Sequence, residues 1–254
     1  MKGFIAFTKK EFMEQIRTYR LLIMLCVFFL FGMMSPLLAK LTPEILSGME
    51  LQGIQLIIPE ATAMDAYSQF FQNINEMGLI VILLVFGGII SNELTKGTLV
   101  NILAKGLPRH TVILSKYVAA FALWTVSYLI SALTNYGYTA YLFENSTVKN
   151  LFFSLLCLWL FGGFVLSLIF LSSALTGGNF GGLILTAIAL GSLLLINIFP
   201  WAQKFNPIYL SSHNLELLSG TLSPSEVIKP LVITILLIVV CLYTSILLFK
   251  KKKI

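Results

Sequence analysis

The chain has 254 residues, 57% of them hydrophobic and only 11% charged, with a formal net charge of +6. Soluble domains carry about 25% charged residues, and several apolar runs here exceed the roughly 18–20 residues that cross a bilayer. A soluble globular domain is therefore excluded, as is a β-barrel, whose strands would read as short alternating segments.

The expected class is an all-α polytopic membrane protein. It has six transmembrane helices, an N-terminal amphipathic interfacial helix, and cytosolic N and C termini. Residues 1–20 read as the interfacial helix: Ile5, Phe12, Ile16 and Tyr19 share one stripe, and Lys10, Glu14 and Arg17 fall opposite. Such a helix lies in the membrane interface or packs on another subunit. Residues 21–39 form the first span, with Pro36 near its outer end. This run is too long for a typical leader and follows a long basic segment, so it reads as a retained anchor. Residues 40–72 form an external segment in which Glu44, Glu50, Glu60 and Asp65 outnumber Lys40. Its apolar stretch, Leu51, Ile54, Leu56, Ile57 and Ile58, rests partly on the membrane.

Residues 74–90 form the second span. Asn73, Asn75 and Glu76 crowd its outer end, and Gly87-Gly88 near the inner end allows close helix approach. Residues 91–116 follow as a polar connector. Its one acid, Glu93, stands among Lys96, Lys105, Arg109, His110 and Lys116. Turn chemistry at Gly97-Thr98 and Gly106-Leu107-Pro108 brackets a short helix-like stretch, 99–104. Further spans are expected at 117–141, 151–175, 180–199 and 229–249. The third carries Ser127, Ser131, Thr134 and Asn135. Thr176-Gly177-Gly178-Asn179 makes a tight turn. Asn145-Ser146-Thr147 matches a glycosylation triplet, a pattern common by chance. A second external segment, 200–228, is broken at Asn206-Pro207, Gly220 and Pro224, with Trp201 and Tyr209 suited to the interface level.

Orientation follows from charge. Thirteen of the 17 Lys and Arg residues fall in the N-terminal segment, the connector and the C-terminus, and eight of the 11 acids fall on the other side. The positive-inside rule puts both termini and the connector in the cytosol. The basic clusters thus flank spans and meet anionic lipid, so no nucleic-acid partner is expected. Cys26, Cys157 and Cys241 all lie in apolar runs, with neither disulfide nor zinc spacing.

The chemistry that would make this chain act alone is missing from the sequence. Gly177–Gly182 lacks the Lys-Ser/Thr of a phosphate loop, no His-Glu-x-x-His or Gly-x-Ser-x-Gly occurs, and His110 and His213 fall on opposite sides. Mid-span charges, the mark of proton relays and ion pumps, are nearly absent. Neither a catalytic residue nor a metal site is expected, and any active transport needs an external energy source. Glu93 is then the most informative residue. It reads either as an ordinary solvated acid or as a fixed group that pairs with Arg109 or Lys116 and stiffens the connector.

Glu93-x-x-x-Gly97-Thr98, Gly106-x-Pro108-Arg109 and Lys116 resemble the connector between the second and third helices of ABC transporter permeases of the type-2 membrane family, with the six-helix type V exporter fold. Lys10-Glu11-Phe12 with Arg17 is similar to the start of that family's interfacial elbow helix, and Asn206-Pro207 to its external turn before the last span. The resemblance implies a single transmembrane domain over 1–254 in a bacterial cell membrane. It implies pairing with a second permease chain, identical or related, and docking of two copies of a separate ATP-binding subunit that holds ATP and Mg. The coupling segment maps to 93–107, with Glu93, Lys96, Gly97, Thr98, Arg109 and Lys116 as coupling residues. The Phe-, Leu- and Ile-rich spans fit an amphipathic or hydrophobic cargo, a peptide antibiotic, drug or lipid-like molecule. Asn73, Asn75, Glu76 and Asn197 are the candidate path residues. The competing class is a membrane protein not driven by ATP, a channel or a sensor or scaffold subunit. Co-purification of an ATPase discriminates the two.

Overall fold

Inside a bilayer every backbone N–H and C=O must be satisfied within its own segment, so long apolar runs fold as helices. The computed structural model describes residues 2–48, 60–91, 93, 97, 103, 106–144, 148–176 and 180–251, and every regular element among them is helical. Helix α1 (Lys2–Arg17) turns at Tyr19, with φ 59°, into α2 (Arg20–Gly48). Helix α3 (Ala63–Asn73) runs through a π-helical turn (Ile74–Gly78) into α4 (Leu79–Phe86). Then come α5 (Arg109–Leu142), α6 (Leu151–Thr176) and α7 (Gly181–Ile196). The short helices α8 (Pro200–Gln203), α9 (Tyr209–Ser212) and α10 (Asn214–Ser219) lead to α11 (Pro224–Lys251).

Five helical stretches are long and apolar enough to cross a membrane: Arg20–Ile45, Ala63–Phe86, Arg109–Leu142, Leu151–Thr176 and Pro224–Lys251. The segment expected to cross at 180–199 holds α7, which has 16 residues. At 1.5 Å per residue that is about 24 Å, short of a hydrocarbon core of roughly 30 Å. The chain leaves the helix at Asn197, and Pro200 opens α8.

The second and third long helices both begin earlier than the hydropathy pattern suggests. Thr62 N donates to Asp65 Oδ2 at 2.8 Å and Thr62 Oγ1 to the same oxygen at 2.7 Å. This Thr-x-x-Asp box starts α3 at Ala63, within the segment read as external and well before residue 74. Helix α5 begins at Arg109 rather than 117. Gly106 turns the chain at φ 86°, a left-handed value that favours glycine, and Pro108 stands as the N-cap. Arg109, His110 and Lys116 therefore occupy the first two turns of the third long helix. The expected apolar stretch within 51–58, the helix-like stretch at 99–104 except Leu103, the Asn145–Thr147 triplet and the turn at 177–179 lie outside the described residues.

Helix α6 is the hub of the bundle, almost wholly buried between α5, α7 and α11. Its Gly162-Gly163 pair seats the aromatic face of α5: a Cβ on Gly162 would lie 2.3 Å from Trp124 Cζ2, and one on Gly163 2.6 Å from Phe121 Cε2. The aromatic groups are also tied by hydrogen bonds. Trp124 Nε1 donates to the Trp159 carbonyl at 3.0 Å, Tyr128 OH to Leu155 at 2.9 Å and Tyr117 OH to Gly163 at 3.2 Å.

Candidate functional site

Three segments distant in sequence meet at one end of the bundle: α1, the connector at Glu93, and the first turns of α5. Lys116 Nζ lies 2.8 Å from Glu11 Oε2 and 2.8 Å from Glu93 Oε1. Lys10 Nζ closes the circuit, 3.1 Å from Glu11 Oε1 and 3.3 Å from Glu93 Oε1. The result is an alternating ring of two ammonium groups and two carboxylates. Its inner members are hidden from solvent, with Lys116 1%, Glu11 2% and Glu93 8% exposed. Burial of an unpaired charge costs several kcal/mol, so these groups persist at this depth because each faces an opposite charge. Glu11, Glu14 and Glu93 cluster closely enough to suggest a cation site, but the Lys10 and Lys116 ammonium groups supply that positive charge.

Lys10 also reaches outward to Glu14 at 2.5 Å. Burial disfavours the charged Lys10 ammonium, yet its hydrogen bond to Glu14 and the pull of Glu11 and Glu93 outweigh this and raise its pKa above the ordinary lysine value. Burial likewise opposes the Glu14 carboxylate, but the Lys10 hydrogen bond and the charges of Lys116, Lys10 and Arg20 lower its pKa.

Helix α1 is oriented by this ring. Phe7, Glu11 and Gln15, spaced four apart, are buried against the bundle, while Ile5, Phe12, Ile16 and Tyr19 of the expected apolar stripe are exposed. In a membrane interface that stripe faces lipid, and the helix turns its Glu11 face inward. Glu11 is the residue that pattern reading passed over: between Lys10 and Phe12 it looks like one more surface acid.

Of the two partners expected for Glu93, Lys116 is the one it contacts. Arg109 serves elsewhere, its Nη1 donating to the carbonyls of Phe249 at 3.0 Å and Lys250 at 2.7 Å. A cation there meets the negative end of the α11 dipole and brings the C-terminal helix end to the same face as the ring. Gly97 has φ 67°, the turn conformation its type allows; Lys96 and Thr98 lie outside the described residues.

The expected path residues separate. Asn75 and Glu76 line a cavity of about 600 Å³ at the opposite end, with apolar walls from Leu79, Leu83, Leu190 and Leu194. Asn73 instead donates to Ser35 Oγ at 3.0 Å, joining the first two long helices. Asn197 caps the end of α7, and its carbonyl accepts from Gln203 Nε2 at 3.0 Å. Asn206 pins the external turn through Nδ2 to the Leu193 carbonyl at 2.7 Å. Trp201 is 76% exposed, whereas Tyr209 is buried and stacked on His213 with ring centres 3.8 Å apart.

A family model described as ABC-2 family transporter protein matches residues 5–254 of the chain. No curated protein matches it.

Proposed function

The chain belongs to the ABC-2 transporter family, a family of membrane permease subunits that work with an ATP-binding partner, and from that premise we propose that it forms the membrane half of an exporter of amphipathic or hydrophobic cargo. Two copies of a separate ATP-binding subunit dock beneath a pair of permease chains, hold ATP and Mg, and push on the 93–107 segment. Glu93, Lys96, Gly97, Thr98, Arg109 and Lys116 are the coupling residues in this reading, and the cell membrane of a bacterium is its setting.

The ion ring is the observation that carries the proposal. It joins the connector at Glu93, helix α5 at Lys116 and helix α1 at Glu11 through contacts of 2.8 Å. Buried, mutually satisfied charges resist separation because parting them strands each in a low-dielectric site. A push on the connector is then shared by α5 and the interfacial helix together. Loss of the ring would leave docking in place and uncouple it from the spans.

The test is reconstitution with the ATP-binding subunit, followed by cargo-stimulated ATP hydrolysis and transport in Glu93→Gln and Lys116→Gln. Both variants are expected to keep basal hydrolysis and lose at least about tenfold in stimulation, an interaction of roughly 1.4 kcal/mol. Full coupling in folded variants sinks the coupling role. Purification of the chain without any ATPase, together with ion conduction in planar bilayers, would instead establish the channel reading.

A further inference from the structure

The cavity between α4, α7 and the external helices α9 and α10 is one-sided in charge, with Glu76 the one ionisable side chain among its described lining residues. One N–H of each of its amides already serves the protein. Asn75 Nδ2 donates to the Ser211 carbonyl at 3.0 Å, Asn214 Nδ2 to the same carbonyl at 2.9 Å, and Gln72 Nε2 to Glu76 Oε1 at 3.1 Å. Each acceptor is a carbonyl or carboxylate oxygen, so the amide nitrogen must face it, and the orientation of each amide is fixed. Two of the three serine hydroxyls in the lining are used in the same way: Ser211 Oγ and Ser212 Oγ both donate to the Ile208 carbonyl at 3.0 Å.

Each amide keeps a second N–H and Ser68 adds a hydroxyl, so the lining can donate as well as accept, and what sets its character is charge. Glu76 is exposed to the cavity. Asn214, 2% exposed, holds an Oδ1 that is buried and accepts no hydrogen bond. Among the described residues, no Lys, Arg or His lines the space. Glu76 sits in the π-helical turn of the second long helix, an irregularity that places a side chain where a regular helix would not and is frequent at functional sites. It precedes Glu93 by about 17 residues, and the helix that carries it runs on to Phe86. An ionisable side chain within a membrane helix is retained when it faces a path or a partner.

We propose that this groove receives the cargo and that the cargo is an amphipathic cation, an ammonium or guanidinium carried on an apolar body. The inference rests on reading the chain as a transport subunit and narrows its cargo. The cation meets Glu76 and the vacant acceptor of Asn214, and the apolar body lies against the leucine walls. An anion finds no cationic side chain among the described lining residues and faces a carboxylate. A zwitterionic lipid headgroup brings a phosphate beside the same carboxylate.

The test uses the full chain in nanodiscs of phosphatidylglycerol, with a fluorescent alkylammonium probe competed by octylammonium, octanol and octanoate. Octylammonium is expected to displace the probe at least tenfold more effectively than either competitor. Probe affinity is expected to fall at least tenfold in Glu76→Gln and to persist in Glu76→Asp. The competition order is read on the unaltered chain, so a variant that fails to fold does not blunt the test. Equal displacement by octanoate, unchanged affinity in Glu76→Gln, or loss of probe binding when phosphatidylethanolamine is added to the discs each overturns the proposal; the last identifies a lipid site. If the cation selectivity holds while the Glu93 and Lys116 variants stay fully coupled, the connector reading falls and the groove stands. If those variants uncouple while octanoate competes equally, the groove falls and the connector reading stands.

Discussion

Lys116 lies between two carboxylates with its ammonium almost wholly removed from solvent. Truncating it leaves Glu11 and Glu93 buried and facing one another with only Lys10 between them. Removing one partner of a buried pair costs about 3–5 kcal/mol, so Lys116→Met is expected to lower the thermal unfolding midpoint of the purified chain by several degrees. Replacing the three inner charges together, Glu11→Leu, Lys116→Met and Glu93→Leu, should recover most of that stability, because well-packed apolar groups need no counter-charge. The recovered chain would still lack the contact proposed to couple the connector to the spans, which separates stability from function. The outer pair behaves differently. Glu14 has a lowered folded pKa, so its contribution is present above the ordinary value of 4.5 and is lost as pH falls through the lower folded value. Lys10 has a raised one, so its contribution is present below 10.5 and is lost as pH rises through the folded value. The stability difference between the unaltered chain and Glu14→Gln should therefore be flat across neutral pH and vanish only on strong acidification. At this half-exposed site it should amount to about 0.3–0.5 kcal/mol. A difference that grows toward acid would contradict the sign.

Among the helices, α6 is the one the others are fitted to, and Gly162 is where the fit is tightest. A methyl group there meets the Trp124 ring at 2.3 Å, and that ring is itself anchored to the Trp159 carbonyl. Overpacking of this kind costs about 1–3 kcal/mol. Gly162→Ala should lower the unfolding midpoint, and the same change in a Trp124→Phe background should cost much less. Additive costs in that double-mutant cycle would show that the two do not touch. This contact was not legible beforehand: Gly162-Gly163 in an apolar run announces close packing but not its partner. The connector was legible because charge is scarce. One acid among five basic or imidazole side chains drew attention to Glu93, and Lys116 followed from it. Glu11 was not, because the apolar stripe of α1 marks only the face that meets the membrane interface and does not say which polar residue of the opposite face meets the bundle. The early start of α3 was hidden for a related reason. Its buried face of Ala66, Tyr67, Phe70 and Phe71 is diluted by Asp65, Gln69 and Gln72, and a hydropathy window averages the two faces together. The Thr62–Asp65 box was the readable sign.

For the molecule as a whole, the ring and the Arg109 contacts put the N-terminal helix, the connector and the end of α11 on one face, while the cavity at Glu76 lies under the short helices of the other end. Charge counting had grouped the same three segments without any geometry, since 13 of the 17 basic residues reside in them. The two arguments are independent: one concerns which side of a membrane tolerates lysine and arginine, the other which side chains touch. Together they predict that the ring faces the cytosol and the Glu76 groove the outer half of the membrane. Cysteine labelling tests this directly. In a background with Cys26, Cys157 and Cys241 replaced, a cysteine at the exposed position Ser225, at the start of α11, should react with a membrane-impermeant maleimide in intact cells. A cysteine at the exposed position Lys9, on α1, should react only after permeabilisation. The reverse pattern would turn the ring away from the cytosol, and a cytosolic ATP-binding subunit could then no longer reach the connector. Labelling of both positions in intact cells would contradict the common face itself, because α1 would have to leave Lys116 to be reached from outside.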